Sequence, residues 1–387
     1  MKTFELDDEA LTETLQVARA EAAEGRGPRL LEHARRGERL SARDLVTLWH
    51  AADVLTERLY DAARELRTNR EPHVETFSPL YMTNTCDAEC LMCGMRRSND
   101  SLRRETADIS DVEEQLRVLM GRGMQAVALL TGEYRASRRQ WAISYVNEAL
   151  RASHALGFKH ILLNLGSIDP DEFGLLLDGV PRRDDGSIEP KVTMCTFQET
   201  YSRDAYAKFM GTDPDNPRAN FDRRLGNFDR AYEAGIRVAN PGILLGLNPD
   251  VGHELLALAL HVEHVLGLGM EVYVSVPRLR QTAGGKSHRG IGDDEFTRLV
   301  ALLSLGLGPA KIVITTRESR EIQARLAPII DVISSGSSAV TPYTESGARF
   351  PLEASQFEVI DQRPFESVLE RFLAEGSVEN YAPPVGR

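Results

Sequence analysis

The chain has 387 residues, ordinary apolar content and a formal net charge of −12. That charge disfavours binding to a phosphate backbone, and no apolar run reaches the length of a bilayer span. Four cysteines, three of them within eight residues, exclude a disulfide framework and point to metal binding or catalysis in a reducing compartment.

The start, "MKTFELDDEALTETL", is acidic and amphipathic, without the basic opening and apolar centre of a secretory signal. A cytoplasmic location is therefore expected. "ALTETLQVARAEAAEG" has helical spacing and stops at Gly25; "SARDLVTLWHAADVLTERLYDAARELR" continues the pattern behind the capping residue Ser41. Residues 1–75 read as an N-terminal helical extension.

Eight short apolar runs follow, in the order "FSPLYMTNT", "AVALLTGE", "HILLNLGS", "KVTMCTFQE", "VANPGILLGL", "VYVSVPRL", "KIVITTRE" and "DVISSGSS". Helical segments alternate with them. Ser110 with Glu113 predicts a capping box, and Gly123, Gly157 and Gly235 predict helix ends. Nearly all-apolar strands are covered on both faces, which means a parallel sheet with crossover helices. Eight successive units predict a closed (βα)8 barrel of the TIM type over residues 76–345, with an open doubly wound sheet as the alternative. Residues 181–190 and 280–291 read as polar loops, and residues 346–387 as a C-terminal cap.

In a parallel barrel ligands bind at the carboxyl ends of the strands. Polar residues gather there: Thr131, Gly132 and Glu133 after strand two, Asn164 and Ser167 at strand three, Glu199 at strand four, Arg278 at strand six, Arg317 and Glu318 at strand seven, and Ser334 at strand eight.

The loop after strand one, "YMTNTCDAECLMCGMRR", carries Cys86-x3-Cys90-x2-Cys93. Three readings compete: unrelated buried thiols, structural zinc, or a [4Fe–4S] cluster with one open iron. Closed zinc sites usually draw four ligands from two separated pairs, and no second C-x2-C exists here. Three thiolates on a tight loop suit three corners of a cubic cluster.

At this loop the chain resembles the radical SAM superfamily, whose signature is C-x3-C-x2-C. The resemblance implies that S-adenosylmethionine (SAM) chelates the open iron and is split reductively to a 5′-deoxyadenosyl radical. It departs from the superfamily at Met92, where an aromatic residue is usual. "TGE" resembles its G-G-E motif, with Thr131 in place of the first glycine; Gly132 and Glu133 would receive the methionyl amine. Asn164 and Ser167 join the implied SAM-binding set. Glu199 matches the residue that holds the ribose, Arg224 the one that clamps the SAM carboxylate, and "NPGILLGL", with Leu245, the segment beside adenine.

"FQETY", "EAGI", "SVPRLR" and "ITTRE" are similar to the aromatic amino acid lyase branch, most closely to the tryptophan lyases that make 3-methyl-2-indolic acid for thiopeptide antibiotics. The resemblance runs from about residue 77 to 345. It implies that Arg317 grips the amino-acid carboxylate, with Tyr81 and Ser334 as further pocket residues, and that L-tryptophan loses a hydrogen from its amine before its carboxyl fragment migrates to indole carbon 2. A one-electron donor such as flavodoxin or ferredoxin is the implied partner. Two alternatives stay open: a tyrosine lyase giving p-cresol and dehydroglycine, and a non-catalytic zinc scaffold. Cys195, inside an apolar strand, reads as a core thiol.

Overall fold

The computed structural model describes residues 3–68, 73–283, 290–336 and 355–384. Eight parallel strands form the expected barrel: β1 (His73–Tyr81), β2 (Ala126–Leu130), β3 (His160–Asn164), β4 (Lys191–Glu199), β5 (Val238–Ile243), β6 (Glu271–Ser275), β7 (Lys311–Thr315) and β8 (Val332–Ser334). Each pairs with its successor, and β1 pairs with both β8 and β2, which closes the ring. Every apolar run predicted as a strand is one. All but β4 end earlier than the runs. β1 also begins four residues before its predicted run.

Alternation along the strands puts Phe77, Ala128, Leu162, Cys195, Val238, Tyr273, Val313 and Val332 together inside the barrel. Below this layer, at the amino ends of the strands, Glu75 and Glu271 meet Lys191 and Lys311 around the Tyr273 hydroxyl. Burial opposes ionisation of Glu271, but the hydrogen bond from Lys311 and the charges of Lys191 and Lys311 outweigh it and hold the carboxyl down at about 2.

The N-terminal segment forms α1 (Asp8–Ala23), α2 (Gly27–Arg35), α3 (Ala42–His50) and α4 (Thr56–Thr68). The long helical pattern after Ser41 is thus two helices, broken at residues 51–55. Ser41 caps α3 in a capping box with Asp44. Outside the barrel lie α5 (Ile109–Gly121), α6 (Ala136–Ala155), α7 (Pro170–Leu176), α8 (Arg203–Met210), α9 (Phe221–Leu225), α10 (Asn227–Glu233), α11 (Val251–Gly267), α12 (Asp293–Gly306) and α13 (Arg320–Leu326). α1, α3 and α4 pack over α11 and α12, so the extension shares the main core.

α5 corrects one expectation. Its capping box is formed by Asp108 and Asp111, two residues before Ser110 and Glu113, because Asp108 is extended and its carboxylate already serves the first turn. Gly123, Gly157 and Gly235 do end helices, all with positive φ.

After the described chain resumes at residue 355, α14 (Phe365–Glu375) leads into β9 (Ser377–Glu379). β9 pairs with the first three residues of β1, and the next residues pair with the approach to β2, Met124 with Tyr381. The C-terminal strand is therefore wedged between β1 and β2 at the foot of the barrel. Residues 284–289 of the predicted loop at 280–291, residues 337–345 at the end of the predicted barrel span, and residues 346–354 and 385–387 of the predicted cap lie outside the described residues. No described helix is long and apolar enough to cross a membrane.

Candidate active site

The cysteine loop leaves β1 and is folded by its own backbone. Cys93 N–H donates to Cys90 O at 3.1 Å, and Arg97 N–H to Ala88 O at 2.8 Å. Arg104 reaches across and donates to the carbonyls of Asn84, Met95 and Arg96 at 3.1, 2.8 and 2.6 Å. Asp87 N–H bonds Glu133 O, and Leu91 N–H bonds Phe209 O, both at 2.9 Å, so the loop is fixed to its neighbours.

Gly132 allows the turn after β2 to reach this loop: a Cβ there would overlap Thr85 O and crowd Cys86. Gly166, with φ +90°, does the same for Glu133, whose carboxylate fills the space a side chain would need.

Cys86, Cys90 and Cys93 line one pocket at the barrel mouth. Burial pushes all three thiols up, Cys86 to about 12. Yet N–H groups already point at their sulfurs. Ala88 and Glu133 backbone N–H lie 3.4 and 3.3 Å from Cys86 Sγ, and Cys93 receives Met95 N–H and the Gln356 amide. Donors aimed at the sulfurs of Cys86 and Cys93 would stabilise these thiols as ionised ligands. Among the described residues no three His, Cys, Asp or Glu side chains stand close enough to share one metal ion. Three cysteines from one loop that line a single pocket fit three corners of a [4Fe–4S] group.

The rest of the mouth comes from the ends of the other strands. Tyr81, Met92, Thr131, Gly132, Glu133, Asn164, Glu199, Arg224 and Arg317 all line the pocket, as the sequence led us to expect. The Asn164 side-chain amide makes no hydrogen bond with the described residues. Ser167, Leu245 and Ser334 are not among the lining residues. Ser167 is buried, its carbonyl taken by Arg139 and Arg223. Leu245 is buried and bridged to Arg278, leaving Leu244 to face the pocket. Ser334 is buried at the end of β8, opposite Phe77 and Thr315.

Glu199 ends β4 with φ +69°, at a point where Gln198 is skipped in the pairing with β5. A non-glycine residue held there is strained, and such strain marks sites where a side chain must be aimed. Glu199 receives Arg218 at 2.6 Å, and the same guanidinium lies 3.0 Å from Glu133. Glu133 also takes Arg224 at 2.7 Å. Burial alone would raise the Glu133 carboxyl, but the charges of Arg224 and Arg218 outweigh it and hold the group ionised, below its usual value. Two atoms of this network, Glu133 Oε2 and Arg218 Nε, are buried without a hydrogen bond. Arg224 is committed to Glu133 and to Phe197 O. Arg218, which the sequence reading missed, lies against Cys90 and between the two glutamates.

Arg317 differs from the other arginines. Its guanidinium stacks on the Phe357 ring, 3.4 Å from the centroid, and forms no ion pair among the described residues. Removal from water lowers its basicity. Arg278 and Arg280, by contrast, both pair with Glu318. In a chain of charge −12, five arginines and two glutamates line this pocket. Such a mouth favours anionic ligands.

Gln356 and Phe357 were also missed. Nothing in "EASQFEV" marks a site; only the return of the C-terminal segment over the mouth brings them there. Arg218 sits in "GTDPDNPRAN", whose turn residues carry no periodicity.

No protein-family model matches the chain. It is 27% identical to 2-iminoacetate synthase of Escherichia coli strain K12 over 360 residues, 89% of this chain and 88% of that protein. The [FeFe]-hydrogenase maturase HydG of Carboxydothermus hydrogenoformans superposes with a TM-score of 0.81 at 25% identity, over 95% of this chain and 82% of HydG. Methylornithine synthase PylB shares the fold, with a TM-score of 0.68 at 19% identity, over 89% of this chain and 95% of PylB. A three-cysteine loop seated at the mouth of a closed parallel barrel, together with these likenesses, makes the chain similar to enzymes of the radical SAM aromatic amino acid lyase type, and the site suits a [4Fe–4S] cluster and SAM.

Proposed function

We propose that this enzyme fragments and rearranges L-tryptophan to 3-methyl-2-indolic acid. The observation that carries the reading is Arg317: a half-buried guanidinium in the pocket, held flat on Phe357, with no carboxylate partner among the described residues. A buried cation without a counter-ion is unfavourable unless a ligand supplies one, and a guanidinium fork binds both oxygens of a carboxylate.

Cys86, Cys90 and Cys93 would hold the cluster, and Met92 would lie beside its ligand. When bound, the cluster and SAM supply a carbon radical strong enough to take a hydrogen from an amine. Glu133 is the group for the methionyl amine, Arg218 for the methionyl carboxylate and Glu199 for the ribose hydroxyls. Asn164, with its amide uncommitted, can serve either ligand. Arg317 and Tyr81 would fix the amino acid so that its amine faces the cluster side, and Arg317 would keep hold of the carboxyl group during transfer. Positioning does most of the work, because the attacking species takes the nearest hydrogen.

The walls beside Arg317 are apolar, formed by Leu244, Pro277, Leu279 and Phe357. An indole asks for one acceptor, whereas a phenol asks for both a donor and an acceptor, and the walls beside Arg317 offer neither. Similarity to a 2-iminoacetate synthase favours a second reading, tyrosine cleavage to p-cresol and dehydroglycine. A one-electron donor of the flavodoxin or ferredoxin kind is the implied partner. Reconstituted, reduced enzyme given SAM and either amino acid decides the matter by product analysis. Rapid p-cresol with tryptophan inert would replace the first reading by the second. A colourless protein holding zinc and no iron would end both.

A further inference from the structure

Gln356 lies where the C-terminal segment crosses the pocket. Three backbone bonds seat this segment: Gly94 N–H to Gln356 O at 2.8 Å, Glu358 N–H to Gln281 O at 2.8 Å and Asp361 N–H to Thr316 O at 3.0 Å. The side chain makes two contacts of opposite polarity. Tyr81 Oη donates to Oε1 at 2.6 Å, and Nε2 donates to Cys93 Sγ at 3.5 Å. The orientation of the amide is self-consistent, since the flipped form would set its oxygen against the sulfur. The next residue, Phe357, carries Arg317 on its ring. Two consecutive residues thus touch a cysteine of the loop, Tyr81 and the uncommitted arginine.

We propose that Gln356 is a positioning residue that hydrogen-bonds the Cys93 thiolate in the loaded enzyme and makes the cluster's reducibility depend on what occupies Tyr81 and Arg317. This rests on the reading that the three cysteines hold the cluster. An N–H donor to a cluster sulfur stabilises the more negative, reduced state and so eases reduction. Donation from Tyr81 into Oε1 polarises the amide and strengthens its N–H. A carboxylate on Arg317 competes for the Tyr81 hydroxyl. Drawing that hydroxyl away weakens the donor at sulfur, and the reduced cluster becomes the stronger electron donor when the amino acid is in place.

The test is a redox titration followed by electron paramagnetic resonance, on reconstituted wild type, Gln356→Met and Tyr81→Phe, with and without L-tryptophan or L-tyrosine. Methionine keeps the length of the side chain, and the backbone bond to Gly94 survives the change. Loss of this hydrogen bond, a long contact to sulfur of ordinary strength, predicts a reduced fraction about three- to tenfold lower at a fixed potential in Gln356→Met. Tyr81→Phe shifts the same way by less. Added amino acid shifts the wild type downward and leaves Gln356→Met unmoved. The coupling is overturned if Gln356→Met titrates like the wild type, if neither amino acid moves the wild type, or if either moves both proteins equally. Should Gln356→Met not fold, Tyr81→Phe and the amino-acid effect on the wild type decide the same question. Wild type that takes up no iron and gives no signal overturns the cluster reading itself.

Discussion

Arg317 offers the sharpest test, because function and stability should move differently. In the structure its charge rests on the Phe357 ring without a carboxylate, so removing it takes away no ion pair among the described residues. If a substrate carboxylate is its partner, Arg317→Lys keeps the charge but loses one arm of the fork and the flat stacking. One charge-assisted hydrogen bond contributes about 1.5–3 kcal/mol, which corresponds to roughly a 10- to 100-fold lower kcat/KM. Arg317→Ala should lose about 2–5 kcal/mol of amino-acid binding, while its melting temperature stays level or rises as a lone half-buried cation disappears. SAM binding should hardly change, since Glu133, Arg218 and Glu199 form a separate network. The assays are steady-state product formation against amino-acid concentration, SAM binding by equilibrium titration, and thermal unfolding. An unchanged KM for the amino acid in both variants, or an equal weakening of SAM and amino acid, would refute the reasoning.

Arg218→Ala should weaken SAM binding on the order of a hundredfold while iron content is kept, because it removes the cation between Glu133 and Glu199; equal SAM affinity in variant and wild type would count against it. Cys86→Ala, Cys90→Ala and Cys93→Ala should each lose the visible absorption of the cluster. Cys195→Ala, which changes only the apolar barrel interior, should keep it and lose about 1 kcal/mol of stability; iron loss on Cys195→Ala would contradict the three-ligand loop. At the foot of the barrel, Glu271 has a carboxyl depressed to about 2, against 4.5 for the free group. A depressed carboxyl contributes stability above its unfolded value and loses it as pH falls toward the folded one. Metal-free Glu271→Gln should therefore melt below wild type at pH 7, with the gap narrowing between about pH 4.5 and 2; a gap that stays constant over that range would show that the ion network contributes nothing.

The parts of this protein that are local in sequence were legible without coordinates. Eight apolar runs, each able to bury both faces, pointed to a parallel sheet with helices outside, and their number favoured a closed barrel over an open doubly wound sheet. The x3 and x2 spacings put three sulfurs on one tight loop, whatever the rest of the chain does. Strand ends, where apolar runs turn polar, marked Glu133, Glu199 and Arg317 as mouth residues. Ser167, Leu245 and Ser334 satisfied the same rule and do not line the pocket: Ser167 and Leu245 lie in the turns after β3 and β5, where Arg139, Arg223 and the bridge to Arg278 hold them, and Ser334 is buried at the end of β8.

Only the tertiary structure could decide which charges are committed and which are free. Arg224 reads in sequence as a carboxylate clamp, yet it is tied to Glu133 and Phe197 O, and Arg218 from an irregular loop takes the place beside Cys90. Gln356 and Phe357 reach the site because backbone bonds to Gly94, Gln281 and Thr316 seat the C-terminal segment across the mouth before it descends to β9 at the foot of the barrel. Spacing along a chain fixes what neighbours can do together. Pairing across hundreds of residues depends on how the barrel closes, and burial then sets which of those charges must find a partner.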